Sequence, residues 1–193
     1  MATVELIDSV KTTASLTQYI TFDNIPSTYR DLTVWGQTRD GSQGSGFTYL
    51  TCRINDHSST GRYASTIYYS YYSAGSHSSY HNLGSTSDTY MKLGRMASGT
   101  SVPDWGTVGG VDVKGGIYVT FYNYADTDSY TSIMASIAGN QKAGATIFQM
   151  MGGRSTCQYM HTEEIEKIEF GMHVDSHSFT KDSQLYLYGI NSA

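Results

Sequence analysis

GIYVTFYNYADTDSYTSIMASIA, residues 116–138, is the stretch that decides the fold class of this 193-residue chain. Apolar side chains occupy every second position from Ile117 to Phe121, which places them on one face of an extended strand. The polar run 126–129 is typical of a turn. Alternation then resumes over 130–138. The stretch therefore predicts two half-buried β-strands on either side of a turn.

Similar alternation recurs along the chain, in short segments separated by Gly, Ser, Asn and Asp. Further strands are predicted over 15–25, 31–39, 47–55, 90–96, 145–151, 164–174 and 184–190. The pattern over 63–80 leaves open which face is buried. We expect 31–39 and 47–55 to form a hairpin and 139–140 to be a turn. The spacing favours one all-β domain, residues 1–193, a sandwich or barrel of roughly ten strands, with 1–12 as a candidate N-terminal arm.

Charge and hydropathy exclude several classes of function. The chain has 12 basic and 17 acidic residues and a formal net charge of −5. Because no basic excess is available to neutralise phosphates, we expect no nucleic-acid partner. No apolar run reaches the 18 residues of a membrane helix, so we expect no membrane partner. The first 16 residues lack the apolar core of a secretory signal.

The two cysteines, Cys52 and Cys157, lie too far apart in sequence for a zinc pattern and are too few for a disulfide framework. Two reduced thiols in a protein made in the cytoplasm are the favoured interpretation. A single long-range disulfide is the alternative.

Motifs for catalysis or metal binding are weak. His173, Asp175 and His177 alternate along one predicted strand face, but a straight row converges on one ion only if the strand bends. A solvated turn is the favoured interpretation of this motif. Glu166 and Glu169 fall on opposite faces of the predicted strand 164–174. This favours a solvated strand edge over a catalytic carboxylate pair. We predict no catalytic residue, no metal and no cofactor, and hence no enzyme.

Tyrosine is the most informative residue type, with 17 copies. Tyrosine is enriched at interfaces because it offers a large amphipathic area at low entropy cost. A subunit interface, a sugar-binding surface and a plain tyrosine-rich sheet face are the alternatives. The candidate residues, together with a tryptophan in the loop 97–110, are Tyr68, Tyr69, Tyr71, Tyr72, Tyr80 and Trp105.

A family resemblance is carried by both ends of the chain. Residues 15–39, SLTQYITFDNIPSTYRDLTVWGQTR, contain the pattern FxxIPxTYxxL from Phe22 to Leu32, followed by Arg39. Near the other end, Ser183 precedes Leu187–Ile190 in the pattern S-x-x-x-LYGI. This resembles a family of small virion structural proteins of tailed bacteriophages. Residues 79–83, SYHNL, are similar to a central segment of the same family.

The resemblance implies a jelly-roll-like antiparallel β-sandwich that assembles on a virion. The expected role is a capsid decoration, or cement, subunit that binds the major capsid protein or other virion proteins. A homotrimer is favoured, because decoration subunits commonly occupy three-fold positions. A tail-fibre or tail-knob module that binds host polysaccharide is the alternative. The expected location is the virion, with synthesis in the bacterial host cytoplasm.

Overall fold

A computed structural model describes residues 3–14, 17–41, 47–73, 76–83, 88–97, 107–108, 111–112, 114–143, 147–173 and 177–191. The strands are β1 (Thr3–Lys11), β2 (Ile20–Phe22), β3 (Asp31–Thr38), β4 (Phe47–Ile54), β5 (Tyr63–Ser73), β6 (Ser76–Leu83), β7 (Met91–Ala97), β8 (Thr107–Val108), β9 (Val111–Asp112), β10 (Gly115–Tyr122), β11 (Thr131–Ala143), β12 (Ile147–Tyr159), β13 (Ile168–Met172) and β14 (Gln184–Asn191). Over these described ranges there is no helix, and so none of a length and apolarity that would cross a membrane.

Twelve of the strands form two antiparallel sheets. The large sheet has the order β1-β14-β3-β10-β11-β12-β5-β6, and the small sheet has the order β2-β13-β4-β7. A separate ribbon is formed by β8 and β9. The prediction of an all-β antiparallel sandwich is therefore confirmed.

The connections carry the chain back and forth between the sheets. Strands β1, β2, β3 and β4 alternate between the large and the small sheet, and β13 and β14 do the same at the other end. The predicted hairpin of 31–39 with 47–55 is therefore wrong: β3 pairs with β10 and β14, whereas β4 pairs with β7 and β13. Alternation reports which face of a strand is buried, but it does not report the partner strand.

The core lies between the two sheets and is built by the alternation that the sequence shows. Ile117, Val119 and Phe121 of β10 are at most 4% exposed, and they face buried side chains of the small sheet such as Phe170. The predicted turn at 139–140 is wrong, because both residues continue β11 and pair with β12. The continuous ladder with β12 satisfies their backbone groups, which outweighs the local turn preference of Gly and Asn.

The corner after β2 is held by a tyrosine from another strand end. The fully buried Tyr124 donates its hydroxyl hydrogen to the Pro26 carbonyl and accepts the Tyr29 backbone N–H at 3.4 Å. The sequence predicts that the Tyr29 side chain makes the hydrogen bond across this corner. In the structure its ring instead covers Gly189 of β14.

The candidate arm, residues 1–12, supplies β1, which pairs with β14 of the same chain at the edge of the large sheet. A register shift interrupts the pairing between Leu6 and Asp8. Val4 and Leu6 are 63% and 51% exposed, so this edge presents apolar side chains to its surroundings.

Candidate functional site

The outer face of the large sheet carries a row of aligned side chains that crosses all eight strands. Register partners on adjacent strands share a face, so a row can be followed from strand to strand. From β1 to β6 the row is Ser9, Tyr186, Trp35, Tyr118, Ser136, Arg154, Tyr68 and His81. We call these eight residues the central row. Four of its members are aromatic residues with the large amphipathic area that favours contact with a partner.

Trp35 is the centre of the aromatic part of the row. Its ring stacks on Tyr186 at 5.3 Å and on Tyr188 at 5.7 Å between centroids, and both pairs are within 29° of parallel. Despite this packing, Trp35 is 46% exposed, and its register partner Tyr118 is 51% exposed. Side-chain hydrogen bonding with Thr33 and Thr120 lowers the pKa of the Tyr118 hydroxyl. The stacked rings of Trp35, Tyr186 and Tyr188 thus form a fixed aromatic platform, on which Trp35 is open to solvent.

This outer face is poor in charge. Among the side chains that the structure describes on it, the register places three charged residues, namely Lys11, Asp31 and Arg154. Asp31 is itself only 5% exposed and is bound by its neighbour Arg30 at 2.6 Å. Depletion of charge together with aromatic enrichment is typical of the centre of a protein interface.

The outer face of the small sheet, by contrast, carries ion pairs. Arg53 of β4 pairs with Glu169 of β13 at 3.1 Å, and Lys92 of β7 pairs with Asp88 at 3.0 Å. Ion pairs of this kind are compatible with a solvated surface. The two outer faces of the sandwich therefore differ in charge, and the charge-poor face of the large sheet is the better candidate for a partner.

The tyrosines predicted as site residues divide between the two faces of β5. Tyr68 is 56% exposed on the outer face and stacks on His81 at 4.4 Å. Tyr69 is 8% exposed, points to the other face and stacks on Tyr80 at 5.2 Å, with the Arg95 guanidinium 4.3 Å from its ring centre. Tyr68 thus joins the central row, whereas Tyr69 and Tyr80 do not.

Three predicted site residues cannot be placed in the row. Tyr71 and Tyr72 belong to β5, but their side chains lie outside the described residues, and Trp105 lies outside them entirely. Sequence reasoning missed Trp35, Tyr118 and Tyr186 as site residues. The sequence does show an aromatic residue on the polar face of each of these three strands. It does not show that the three residues align in one row, because that alignment depends on which strands pair.

The histidine motif does not act as one unit in the described part of the chain. His173 hydrogen-bonds to the Tyr90 hydroxyl, and His177 places Nδ1 2.6 Å from the fully buried Oδ2 of Asp40. Asp175, the third member, lies outside the described residues. The two histidines thus contact different partners.

A different cluster of metal-binding residue types forms at one end of the sandwich. His57 follows β4, and His161 and Glu163 follow β12. His57 Nε2 lies 2.6 Å from Glu163 Oε1, and His161 Nδ1 lies 3.2 Å from Glu163 Oε2. One ligand atom from each of the three residues falls within 4.8 Å of the others. We call these residues the histidine–glutamate cluster.

Neighbouring groups fix Glu163 in this cluster. Its Oε1 accepts hydrogen bonds from the Tyr159 hydroxyl and from Asn55 Nδ2, the latter at 2.9 Å. Burial opposes ionisation, but these hydrogen bonds and the contact with His57 outweigh it and lower the pKa of Glu163. The carboxylate is therefore held in its charged form.

The two cysteines are free and buried, in β4 and β12 on opposite sheets. Burial raises the pKa of Cys52 and raises that of Cys157 to about 11. Because the thiolate is the reactive form, neither thiol suits a nucleophilic role.

Comparison with protein-family models, with curated proteins and with solved structures finds no match to this chain. Its function is therefore inferred from its own residues, fold and surfaces.

Proposed function

We propose that this protein is a non-enzymatic structural subunit of a tailed-phage virion, a capsid decoration (cement) subunit that binds neighbouring capsid subunits and stabilises the head. The observation that carries the proposal is the charge-poor outer face of the large sheet with the exposed Trp35 and Tyr118 at its centre. The motif resemblance over 22–39 and 183–190 supplies the virion context.

Strand order supports a jelly roll as the finer description of the fold. The order β1-β14-β3-β10 faces β2-β13-β4-β7, and the chain crosses between these two sets at most of its connections. Eight strands in two sheets linked by such crossings are what a double Greek key produces, and this architecture recurs in viral capsid proteins. On this description, β5-β6 and β11-β12 are additions that widen one sheet.

The physical case for an interface is the cost of leaving this face in water. Each exposed aromatic side chain that packs against a partner removes apolar area from water, at roughly 25 cal/mol per Å². The face has few charges to desolvate, so little of this gain is lost. Trp35 is already immobilised by Tyr186 and Tyr188, which reduces the side-chain entropy lost on binding.

The oligomeric state and capsid binding test the proposal. We expect the purified protein to be a homotrimer by light scattering and to bind capsids prepared without it. Trp35→Ala and Tyr118→Ala should weaken capsid binding by at least about tenfold, in line with the loss of an aromatic hot spot. Tyr130→Ala is the matched control, because Tyr130 is 50% exposed in the turn before β11. A monomer that does not bind such capsids would overturn the proposal.

A second function is favoured by the flat Trp35 platform itself. An exposed aromatic ring face can stack on the C–H face of a sugar ring, so a tail-fibre or tail-knob module that binds host polysaccharide would use the same residues. In that case Trp35→Ala should abolish binding to host polysaccharide while the oligomer persists. Unchanged adsorption of the variant to host cells would exclude this function for the platform.

A further inference from the structure

We infer that the histidine–glutamate cluster is a binding site for a divalent transition-metal ion, with Zn²⁺ as the best-matched ion. His57, His161 and Glu163 supply two imidazole nitrogens and one carboxylate, a ligand set that suits zinc and its neighbours in the first transition row. This site is separate from the outer face of the large sheet and does not depend on the virion role.

Distances in the cluster are close to those of a zinc site. Bonds of about 2.0–2.1 Å in tetrahedral geometry separate ligand atoms by roughly 3.3 Å. His161 Nδ1 is 3.2 Å from Glu163 Oε2, and His57 Nε2 is 2.6 Å from Oε1. Shifts of less than about 1 Å would therefore bring each imidazole nitrogen and its carboxylate oxygen to this separation, and the ligand atoms of all three residues already lie within 4.8 Å of one another. Water would complete the coordination.

One imidazole nitrogen of the cluster is buried without a hydrogen-bond partner. His161 Nδ1 is shielded from solvent, and although it lies 3.2 Å from the Glu163 carboxylate, it makes no aligned hydrogen bond. Buried polar atoms without a partner are rare in folded proteins and call for an explanation. A metal ion between this nitrogen and the carboxylate would satisfy both groups.

The groups around the ligands resemble the outer shell of a metal site. Tyr159 and Asn55 bind Glu163 and fix its orientation, and Asn55 also accepts the backbone N–H groups of residues 166 and 167 at 3.0 Å. The His57 backbone is held as well, because its N–H donates to the Ile54 carbonyl at 2.9 Å. Such partners hold ligands in place before the ion arrives.

The charge of the surroundings favours a cation. An open groove of about 740 Å³ adjoins the cluster and includes His57 and Glu163 in its wall. Its other charged residues are four carboxylates and one lysine, namely Asp23, Asp56, Glu164, Glu166 and Lys167. A negative groove raises the local cation concentration and provides a route to His57 and Glu163.

Zinc here would cross-link the two sheets. His57 follows β4 of the small sheet, whereas His161 and Glu163 follow β12 of the large sheet. The imidazoles would bind in their neutral form and release any extra ring proton to solvent. Since the folded chain alone brings the three ligands together, zinc should stabilise the native state.

Titration of the full chain, first stripped with chelator and desalted, tests the site. We expect calorimetry to show one Zn²⁺ per chain and the thermal midpoint to rise with zinc. On the unmodified protein, NMR of the imidazole nitrogens should show shifts at His57 and His161 and none at the other four histidines. Shifts at the exposed His77 or His81 in place of these two would overturn the inference.

Variants give an independent test. His161→Ala and Glu163→Gln should weaken zinc binding by more than about tenfold, because even partners of ligands contribute that much. Tyr159→Phe, which keeps the ring but removes the hydroxyl that positions Glu163, should weaken it by about tenfold. His77→Ala, on exposed β6, is the matched control and should bind zinc as the unmodified chain does. Equal zinc affinity and equal zinc-dependent midpoint shifts in His161→Ala would overturn the inference.

Discussion

A single hydroxyl holds the corner that leads from the small sheet into β3. The Tyr124 ring is fully buried. Its hydroxyl donates a hydrogen bond to the Pro26 carbonyl and accepts one from the Tyr29 N–H, about 100 residues away along the chain. Both backbone groups lie in a turn and have no strand to pair with. The side chain therefore replaces a missing piece of secondary structure.

Tyr124→Phe should destabilise the protein by about 1–2 kcal/mol, because it leaves these backbone groups without their partner while keeping the ring in the core. Urea unfolding of the two proteins measures the difference. The control is Tyr130→Phe, whose ring is half exposed and whose change should stay within about 0.5 kcal/mol. Equal losses in both variants would contradict the role of the hydroxyl.

The same corner shows the limit of sequence reasoning about single residues. Ile25, the isoleucine of the FxxIPxTYxxL pattern, is buried at this corner with 5% exposure. Tyr29 and Tyr124 are both tyrosines next to turn residues, and nothing in the local sequence tells which one bonds to the corner. The choice depends on β10 lying beside β3, which is a long-range pairing.

Among the elements, β14 depends on the absence of a side chain at one position. A Cβ built on Gly189 would lie 2.3 Å from the Tyr29 ring, whereas a Cβ on Gly116 of β10 would meet no atom within 4 Å. The Tyr29 ring thus packs directly on the β14 backbone.

Gly189→Ala should therefore cost about 1–3 kcal/mol, the range for overpacking. Gly116→Ala is the matched control, since it places the same methyl group in a strand of the same sheet. Thermal unfolding compares the two, and combination with Tyr29→Ala should recover part of the loss because the clashing ring is then gone. If Gly116→Ala lost as much stability, the loss would come from any added methyl group in a strand of this sheet and not from the contact with Tyr29.

An ion pair joins the end of β1 to the turn before β14. Lys11 Nζ lies 2.8 Å from Asp182 Oδ1, which lowers the pKa of Asp182 and raises that of Lys11. Through Asp182, the pair's contribution to folding stability is thus fully present above the unfolded pKa of the carboxyl, and it is lost as pH falls through the folded pKa of that carboxyl. For Lys11, it is present below the unfolded pKa and is lost as pH rises through the folded pKa.

Asp182→Asn should consequently lower the free energy of unfolding at pH 7, and the difference should vanish in strong acid, once the carboxyl is protonated in both the folded and the unfolded state. Asparagine tolerates the left-handed backbone at this position, φ 64°, so backbone strain is not added. Urea unfolding under these two conditions measures the effect. A deficit that persists in acid would assign the loss to the turn itself.

Strand existence was predictable, but strand partnership was not. The alternation of 31–39 and 47–55 marks β3 and β4 correctly, yet the two lie in different sheets. Gly139 and Asn140 favour a turn locally, but their pairing with Met151 and Met150 keeps them extended. Alternation is a property of one strand, whereas partnership is decided by the sheet as a whole.

At the scale of the whole molecule, the two faces of the sandwich predict how its assembly responds to salt. If the charge-poor face mediates association, the association constant should change by less than about threefold between roughly 0.05 and 0.5 M NaCl, because few charges are available to be screened. Sedimentation at several salt concentrations measures it. A tenfold weakening would instead point to the charged outer face of the small sheet.

Both candidate sites are products of the whole fold. The central row collects one residue from each of eight strands, and the histidine–glutamate cluster brings His57 within 2.6 Å of Glu163 across 106 residues. No local motif contains either set. Their residue types were visible in the sequence, but the sites exist only once the sheets have formed.

The place of β14 between β1 and β3 has a consequence in time. At ribosomal rates of about 5–20 residues per second, the roughly 170 residues that separate β1 from β14 take on the order of 10–35 s to make. Throughout that interval β1 has no neighbour to complete its ladder, and β3 lacks one of its two. The part of the large sheet that joins β1 to β3 can therefore form only after β14 has been synthesised.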